Sequence, residues 1–289
     1  MNLAATLLRP RRRFRPHGAV LMAALVLGGI IVAAVLAGAF APYPPRSATG
    51  TPVEAPSPSH RLGTNDLGQD LLSVWLHGAR ASLIVGFVTA LLSTAASGAV
   101  GLLSVTWRPG RVPLLATTDG LLAIPHLPMI VLIVALLGPG LLHLIAALAF
   151  LGWPAYARVV RAQAQATVQR DYVEAARALG ASEARIARTC LVPEILPLLW
   201  TKFLLTVRWA ILMEATLALM GLGDPTQMSW GLTLNSAFAY PLLFIGDAWL
   251  WWALPPAIAV AVITLALSTI GQDFENWLNP ASQRARRNP

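Results

Sequence analysis

Among the charged residues inside stretches of the chain that are otherwise long and apolar, three stand out: Asp119, Arg208 and Glu214. Charges are costly at such positions, and where they occur they mark solute pathways or buried polar contacts between helices. Each of the three is therefore a candidate for lining a translocation path. For Asp119 the simpler alternative is a solvated position near the end of a span, close to Arg111. Glu214 and Arg208 are equally compatible with pairing across helices.

Side chains suited to catalysis or metal binding are scattered rather than grouped. Two of the five histidines, His126 and His143, lie on different apolar stretches, which is too little for a metal site. The single cysteine, Cys190, excludes an internal disulfide. The only lysine is Lys202 and no Gly-Lys-Ser/Thr sequence occurs, so the chain has no P-loop for ATP. We predict no catalytic residues, no metal and no cofactor bound by this chain.

The composition excludes most soluble proteins. Of 289 residues, 56% are hydrophobic and only 12% are charged, whereas a soluble domain has about 45–50% and about 25%. A chain with so few charged residues cannot cover the surface of a cytosolic enzyme. Its hydrophobicity is also far too high for a disordered chain. The length and composition favour one helical bundle within a bilayer.

Charge-free stretches of membrane length predict an all-α membrane protein with six transmembrane helices. A turn at Gly138-Pro139-Gly140 divides the longest stretch in two. The predicted spans fall within residues 17–45, 81–107, 113–137, 141–158, 198–221 and 248–272.

The arginines predict the orientation of these spans. Most of them fall on the side that holds both termini and the even-numbered loops, while the opposite loops carry only Arg46, Arg61 and Arg80. Because short cytoplasmic loops are enriched in Arg and Lys, both termini are expected to be cytoplasmic. The net charge of +8 then reflects topology and attraction to anionic lipid, and we predict no nucleic-acid partner.

The first apolar stretch follows a basic N-terminus (residues 1–17) and has two interpretations. Ala39-Phe40-Ala41 resembles a signal-peptide cleavage site. The apolar run of about 22 residues exceeds the 7–15 of a signal peptide, however. We therefore predict a retained anchor helix over residues 18–41.

A segment predicted to be periplasmic, residues 42–80, follows the anchor. Its first part is rich in Pro, Ser and Thr and predicts an extended linker. Gly63 and Gly68 predict turns, and Asn65 or Asp66 is expected to cap the helix that leads into the second span.

The loop over residues 159–197 contains a regular pattern. Tyr172, Ala175, Ala176 and Leu179 follow the spacing i, i+3, i+4, i+7 and so form one stripe of a helix. Small residues let another surface approach closely, so the stripe is typical of a partner-docking helix. A helix resting on the bilayer is the alternative.

A second short helix is predicted directly after the first. Gly180 is expected to end the first helix, and Ser182 to cap a second one over residues 183–191. Pro193 and Pro197 are expected to stop it before the fifth span.

This hairpin resembles the EAA loop in permease subunits of bacterial ABC importers. That loop has Glu-Ala-Ala, three residues, Gly, nine residues, and then Ile-x-Leu-Pro. Cys190 and Val192 replace the Ile and Leu but remain apolar. The matching residues are Glu174, Ala175, Ala176, Gly180 and Pro193.

Three further segments resemble the dipeptide/oligopeptide/nickel group of these permeases. They are residues 60–80 before the second span, 218–231 after the fifth span, and 274–280 near the C-terminus. Together with the EAA loop the likeness covers about residues 60–285, and the order of the motifs is similar to that of the C-type subunit.

The resemblance implies a MetI-like core of five transmembrane helices over residues 81–279, with a cytoplasmic tail at 280–289, in the bacterial inner membrane. It implies a heterodimer with a sister permease, one or two cytoplasmic ATPase subunits that hold ATP and Mg²⁺, and a periplasmic or lipid-anchored solute-binding protein. The coupling loop would include Asp171, Glu174, Ala175, Ala176, Arg177, Gly180 and Pro193.

Two other classes of protein compete with this interpretation. A secondary transporter or channel would work without ATPase partners, but it usually shows an internal repeat, and none is clear here. A membrane enzyme would need a catalytic cluster, which is absent from the sequence. Neither class explains the EAA spacing.

Overall fold

The computed structural model describes residues 18–278, and this part of the chain is nearly all helical. The predicted basic N-terminus and the C-terminal tail lie outside the described residues. Thirteen α-helices and one π-helical turn (Ala187–Leu191) occur between residues 18 and 278. The helices are α1 Gly18–Val35, α2 Ala37–Phe40, α3 Leu71–Thr106, α4 Arg111–Leu122, α5 His126–Leu137, α6 Leu141–Gly152, α7 Pro154–Val168, α8 Asp171–Ala178, α9 Glu183–Ile186, α10 Val192–Leu219, α11 Trp230–Ala239, α12 Ala248–Trp251 and α13 Leu254–Leu278.

Five helical stretches are long and apolar enough to cross a membrane. The pair α4 and α5 makes a sixth if it counts as one span, since the two helices meet at a 90° bend. Pro125 lies at this bend and has no amide hydrogen to continue the helix. The prediction of an all-α membrane protein is confirmed.

Helix α3 is the centre of the bundle and packs against α10, α7, α6 and α1. Its buried face is built from small residues, which let neighbouring backbones approach closely where apolar burial gives no driving force. A Cβ at Gly101 would stand 2.6 Å from the Cβ of Val160, and one at Gly86 would stand 2.8 Å from Ile211. Close helix contact therefore depends on glycine at these positions.

The segment before α3 folds over one end of the bundle, which we call the linker end. Asp70, not Asn65 or Asp66, caps α3: its Oδ2 accepts from the amide of Ser73 at 2.8 Å, and its Oδ1 lies 3.1 Å from Nδ1 of His60. Asn65 instead closes the preceding turn by accepting from the amides of Leu67 and Gln69. The expected cap was wrong because the turn places Asp70, rather than Asn65 or Asp66, directly before Leu71, the first residue of the helix.

The first helix packs against the rest of the bundle. Ala34 is buried in a core shared with α3, α10 and α13. Arg80 of α3 donates to the carbonyl of Ala34 at 2.6 Å and to that of Val35 at 2.7 Å. These bonds satisfy carbonyls that the end of a helix leaves without partners.

The expected stop at Pro193 and Pro197 was also wrong. A continuous helical stretch of 37 residues, Glu183–Leu219, passes through both prolines. Pro193 lies in the first turn of α10, where a missing amide hydrogen is tolerated, directly after the π-helical turn. The second helix of the hairpin and the fifth span are therefore one continuous rod.

Candidate functional site

The helical hairpin (residues 171–186) lies at the end of the bundle opposite the linker, which we call the hairpin end. One residue of α8, Val173, is buried against the protein. The predicted stripe faces away from the bundle: Tyr172 is 46% exposed and Leu179 is 89% exposed. An apolar stripe directed outward from its own chain is typical of a surface that binds a partner.

Two backbone hydrogen bonds close the turn of the hairpin. Gly180 has φ +83° and donates its amide to the carbonyl of Arg177 at 3.0 Å, while Ala181 donates to Ala176 at 3.1 Å. These two bonds form a Schellman motif. Ser182 then accepts from the amide of Arg185 at 3.3 Å and caps α9. The predictions for Gly180 and Ser182 are confirmed.

One ion pair joins the two helices of the hairpin, and a second joins the start of the hairpin to the fifth span. Arg177 donates to Glu183 at 2.9 Å across the turn, and Arg170 donates to Glu194 of α10 at 2.8 Å. The hydrogen bond that Arg177 donates to Glu183, together with the negative charge of that carboxylate, raises the pKa of Arg177 above its ordinary value. Glu174 forms no salt bridge with any residue between 18 and 278, so its exposed carboxylate is available to a partner.

Asp119 lies on the surface. Its Oδ1 accepts from Arg158 at 2.6 Å, and both side chains are more than half exposed. The bond joins α4 to α7 near the hairpin end. The partner of Asp119 is therefore Arg158 rather than Arg111.

Glu214 is buried near the linker end of α10. Its Oε2 accepts from Ser82 of α3 at 3.0 Å, and the same Ser82 hydroxyl accepts from the amide of Trp230 in α11 at 3.3 Å. Ser229 caps α11 by accepting from the amide of Leu232 at 3.0 Å. The carboxyl group of Glu214 thus joins three helices.

Arg208 and Lys202 lie further along α10 towards the hairpin end. Arg208 donates to Ser268 of α13 at 3.0 Å, while its buried Nε has no bond to any residue in the described part of the chain. Lys202 is buried against α7. Sequence reasoning passed over Lys202, although a single lysine inside a predicted span was a sufficient signal.

Comparison with known proteins shows the family to which this chain belongs. Residues 107–284 match the family model described as the binding-protein-dependent transport system inner membrane component. The match covers more than half of the chain and includes the whole hairpin. The chain belongs to this family. As a member, it is a multi-pass component of the bacterial inner membrane and a transport subunit.

The curated relatives of this chain are also transport proteins. The di/tripeptide transport system permease protein DppC of Pseudomonas aeruginosa is 36% identical over 266 residues, covering 89% of this chain and 86% of the relative. The dipeptide transport system permease protein DppC of Bacillus subtilis is 32% identical, covering 79% and 71%. These relatives favour the permease interpretation over a secondary transporter or a channel.

A solved structure shares the fold. A chain of the MetNI methionine ABC transporter, in an inward-facing conformation, superposes with a TM-score of 0.54 at 21% identity. The alignment covers 71% of this chain and 96% of the other. The MetI-like fold expected from the sequence is confirmed.

Proposed function

We propose that this family member is one of two permease subunits that form a peptide path through the inner membrane, driven by separate ATPase subunits. The observation that supports this most directly is the outward-facing stripe on α8, which leaves Tyr172 and Leu179 exposed. ATP and Mg²⁺ belong to the ATPase in this proposal. A solute-binding protein delivers the peptide at the linker end.

The hairpin is the proposed docking element for the ATPase. Ala175 and Ala176 allow the partner to approach closely, and Glu174 offers an exposed carboxylate to a basic group. The Arg177–Glu183 bond and the Schellman turn hold both helices in one arrangement. A force applied at the hairpin passes directly into α10, since the helical stretch from residue 183 to 219 is unbroken.

Peptides are the proposed substrates because the curated relatives are named for di/tripeptide and dipeptide transport. Among the three charged candidates for the path, Arg208 has the strongest case. Its guanidinium is half-buried, bonds to the hydroxyl of Ser268 and forms no salt bridge among residues 18–278, and guanidinium groups bind carboxylates well. The other two candidates, Asp119 and Glu214, already have protein partners.

The test begins with purification of the tagged chain from its native host in mild detergent. We expect an ATPase and a second permease to co-purify in fixed ratio, with ATP hydrolysis in the complex. The chain purified alone is expected to hydrolyse no ATP. Uptake by the isolated chain in liposomes, without any ATPase, contradicts the proposal.

Two substitutions at Gly180 test the role of the hairpin. A Cβ there meets nothing within 4 Å, so only the left-handed backbone opposes a side chain. Gly180→Val is expected to distort the turn and to separate ATP hydrolysis from uptake of labelled dialanine. Gly180→Asn is the matched control, because Asn adopts this conformation readily. Normal coupling in Gly180→Val contradicts the proposed role.

A further inference from the structure

Lys202 is a buried ammonium group without a carboxylate partner. The residue is 1% exposed, and none of the salt bridges among residues 18–278 includes it. Its Nζ donates to the carbonyl of Gly152 at 3.0 Å and to the hydroxyl of Thr206 at 3.2 Å, and it lies 4.1 Å from the centre of the Tyr156 ring. Burying an ammonium is costly unless such partners replace water.

These contacts lie at the one break in the fourth span. Helix α6 ends at Gly152, and α7 begins at Pro154. Proline removes a helical hydrogen bond and its ring crowds the preceding turn, so this break is the point at which the span bends most easily, and we call it the hinge. Residues 141–168 nevertheless form one span.

Side chains from two neighbouring helices hold the hinge. Lys202 of α10 binds the carbonyl of Gly152, and Ser97 of α3 binds the carbonyl of Trp153 at 2.9 Å. Ser97 shares its hydroxyl with a carbonyl of its own helix, that of Ser93. Lys202 also holds the other side of the hinge, through the ring of Tyr156 on α7.

Helix α7 leads straight to the hairpin. Two residues, Gln169 and Arg170, separate the end of α7 from the start of α8. A movement of the hairpin therefore reaches the hinge along a single helix. If the hinge bends, α7 moves with the hairpin while α6, on the other side of the hinge, stays in place.

We propose that Lys202 is a positioning residue that fixes the α6–α7 hinge, so that the hairpin and the linker-end half of the fourth span move as one body. This inference rests on the proposed function for its role in coupling. The geometry of the hinge itself is independent of any partner.

The first experiment measures the hinge directly. In a Cys190→Ser background, spin labels are placed at the exposed positions Leu142 and Ala162, about 30 Å apart along the helix. Distance distributions are recorded for the complex in lipid nanodiscs. We expect a narrow distribution for the parent and for Lys202→Arg, and a broad or two-peaked distribution for Lys202→Met. Thr216→Val is the matched control, since this exposed hydroxyl of the same helix bonds only within that helix.

An unchanged distribution in Lys202→Met overturns the proposal. If that variant does not assemble, Tyr156→Leu removes the ring that faces the ammonium and is measured in the same way. An unchanged width there also overturns it.

The second experiment measures coupling in proteoliposomes, as labelled dialanine transported per ATP hydrolysed. We expect this ratio to fall about tenfold in Lys202→Met, since a hydrogen bond from a charged group is lost, and to recover in Lys202→Arg. A broadened hinge with an unchanged ratio overturns the coupling role. If the parent complex shows no ATP-driven uptake, the proposed function fails, while the spin-label distances still decide whether Lys202 fixes the hinge.

Discussion

Glu214 shows how a single buried carboxyl group organises its surroundings. Ser82 donates its hydroxyl to this carboxyl group at 3.0 Å, and the amide of Trp230 donates to the same hydroxyl at 3.3 Å. In a membrane, polar groups without partners are costly, so this cluster fixes how α11 joins α3 and α10. The residue therefore has a structural role whether or not it also meets the solute.

Two substitutions separate these roles. We expect Glu214→Leu to cost about 1–3 kcal/mol of unfolding free energy, because the buried hydroxyl of Ser82 loses its acceptor. Glu214→Gln keeps an acceptor oxygen and serves as the control. Thermal unfolding in detergent measures both variants. A Leu variant as stable as the parent, yet defective in uptake, contradicts the structural role and favours the path.

At the scale of elements, glycine sets the distance between spans. Gly101→Leu is expected to destabilise the bundle by about 1–3 kcal/mol, since its Cβ alone would stand 2.6 Å from Val160 of α7. Gly29→Leu on α1 is the control, because a Cβ there meets nothing within 4 Å. Melting temperatures in detergent compare the two. Equal losses for both variants contradict the packing argument.

The loop after α10 caps a distant helix at the linker end. Asp224 Oδ2 accepts from the amide of Leu141 at 3.1 Å, and Oδ1 accepts from the hydroxyl of Thr226. Partial burial by itself raises the pKa of Asp224. The hydrogen bonds from Thr226 and Leu141 and the positive charge of Arg46 outweigh this effect, so the pKa lies below its ordinary value.

This gives the capping bond a defined pH dependence. A carboxyl group whose pKa is lowered by folding stabilises the protein above its unfolded pKa of about 3.9, and that contribution is lost as the pH falls through the folded value. We expect Asp224→Ala to lower the melting temperature at pH 7, with the difference from the parent shrinking below about pH 4. A difference that stays constant in this acid range contradicts the charged cap.

At the scale of the whole molecule, the arginine distribution predicts the orientation in the membrane. In a Cys190→Ser background, Ala55→Cys at the linker end is expected to react with a membrane-impermeant maleimide added outside spheroplasts. Ala178→Cys at the hairpin end is expected to react only after the membrane is opened. Both positions are exposed in the structure. The reverse labelling pattern shows that the hairpin faces away from the cytoplasm.

Local patterns were sufficient for much of the hairpin. The stripe, the Gly180 turn and the Ser182 cap depend on residues within a few positions of each other, so spacing alone predicts them. The stop at Pro193 was mispredicted because the π-helical turn before it and the packing around it decide whether a proline ends a helix. The cap at Asp70 depends similarly on its buried bond to His60.

By itself, the sequence determined the class of protein, the apolar spans, the expected orientation and the stripe on α8, since each follows from composition or from neighbours along the chain. Only the tertiary structure decided the partners of the buried charges. Ser82 is 132 positions from Glu214, and Gly152 is 50 from Lys202. No local rule relates such pairs, because the packing of separate helices brings them together. The hinge that Lys202 holds was for this reason visible only in the folded bundle.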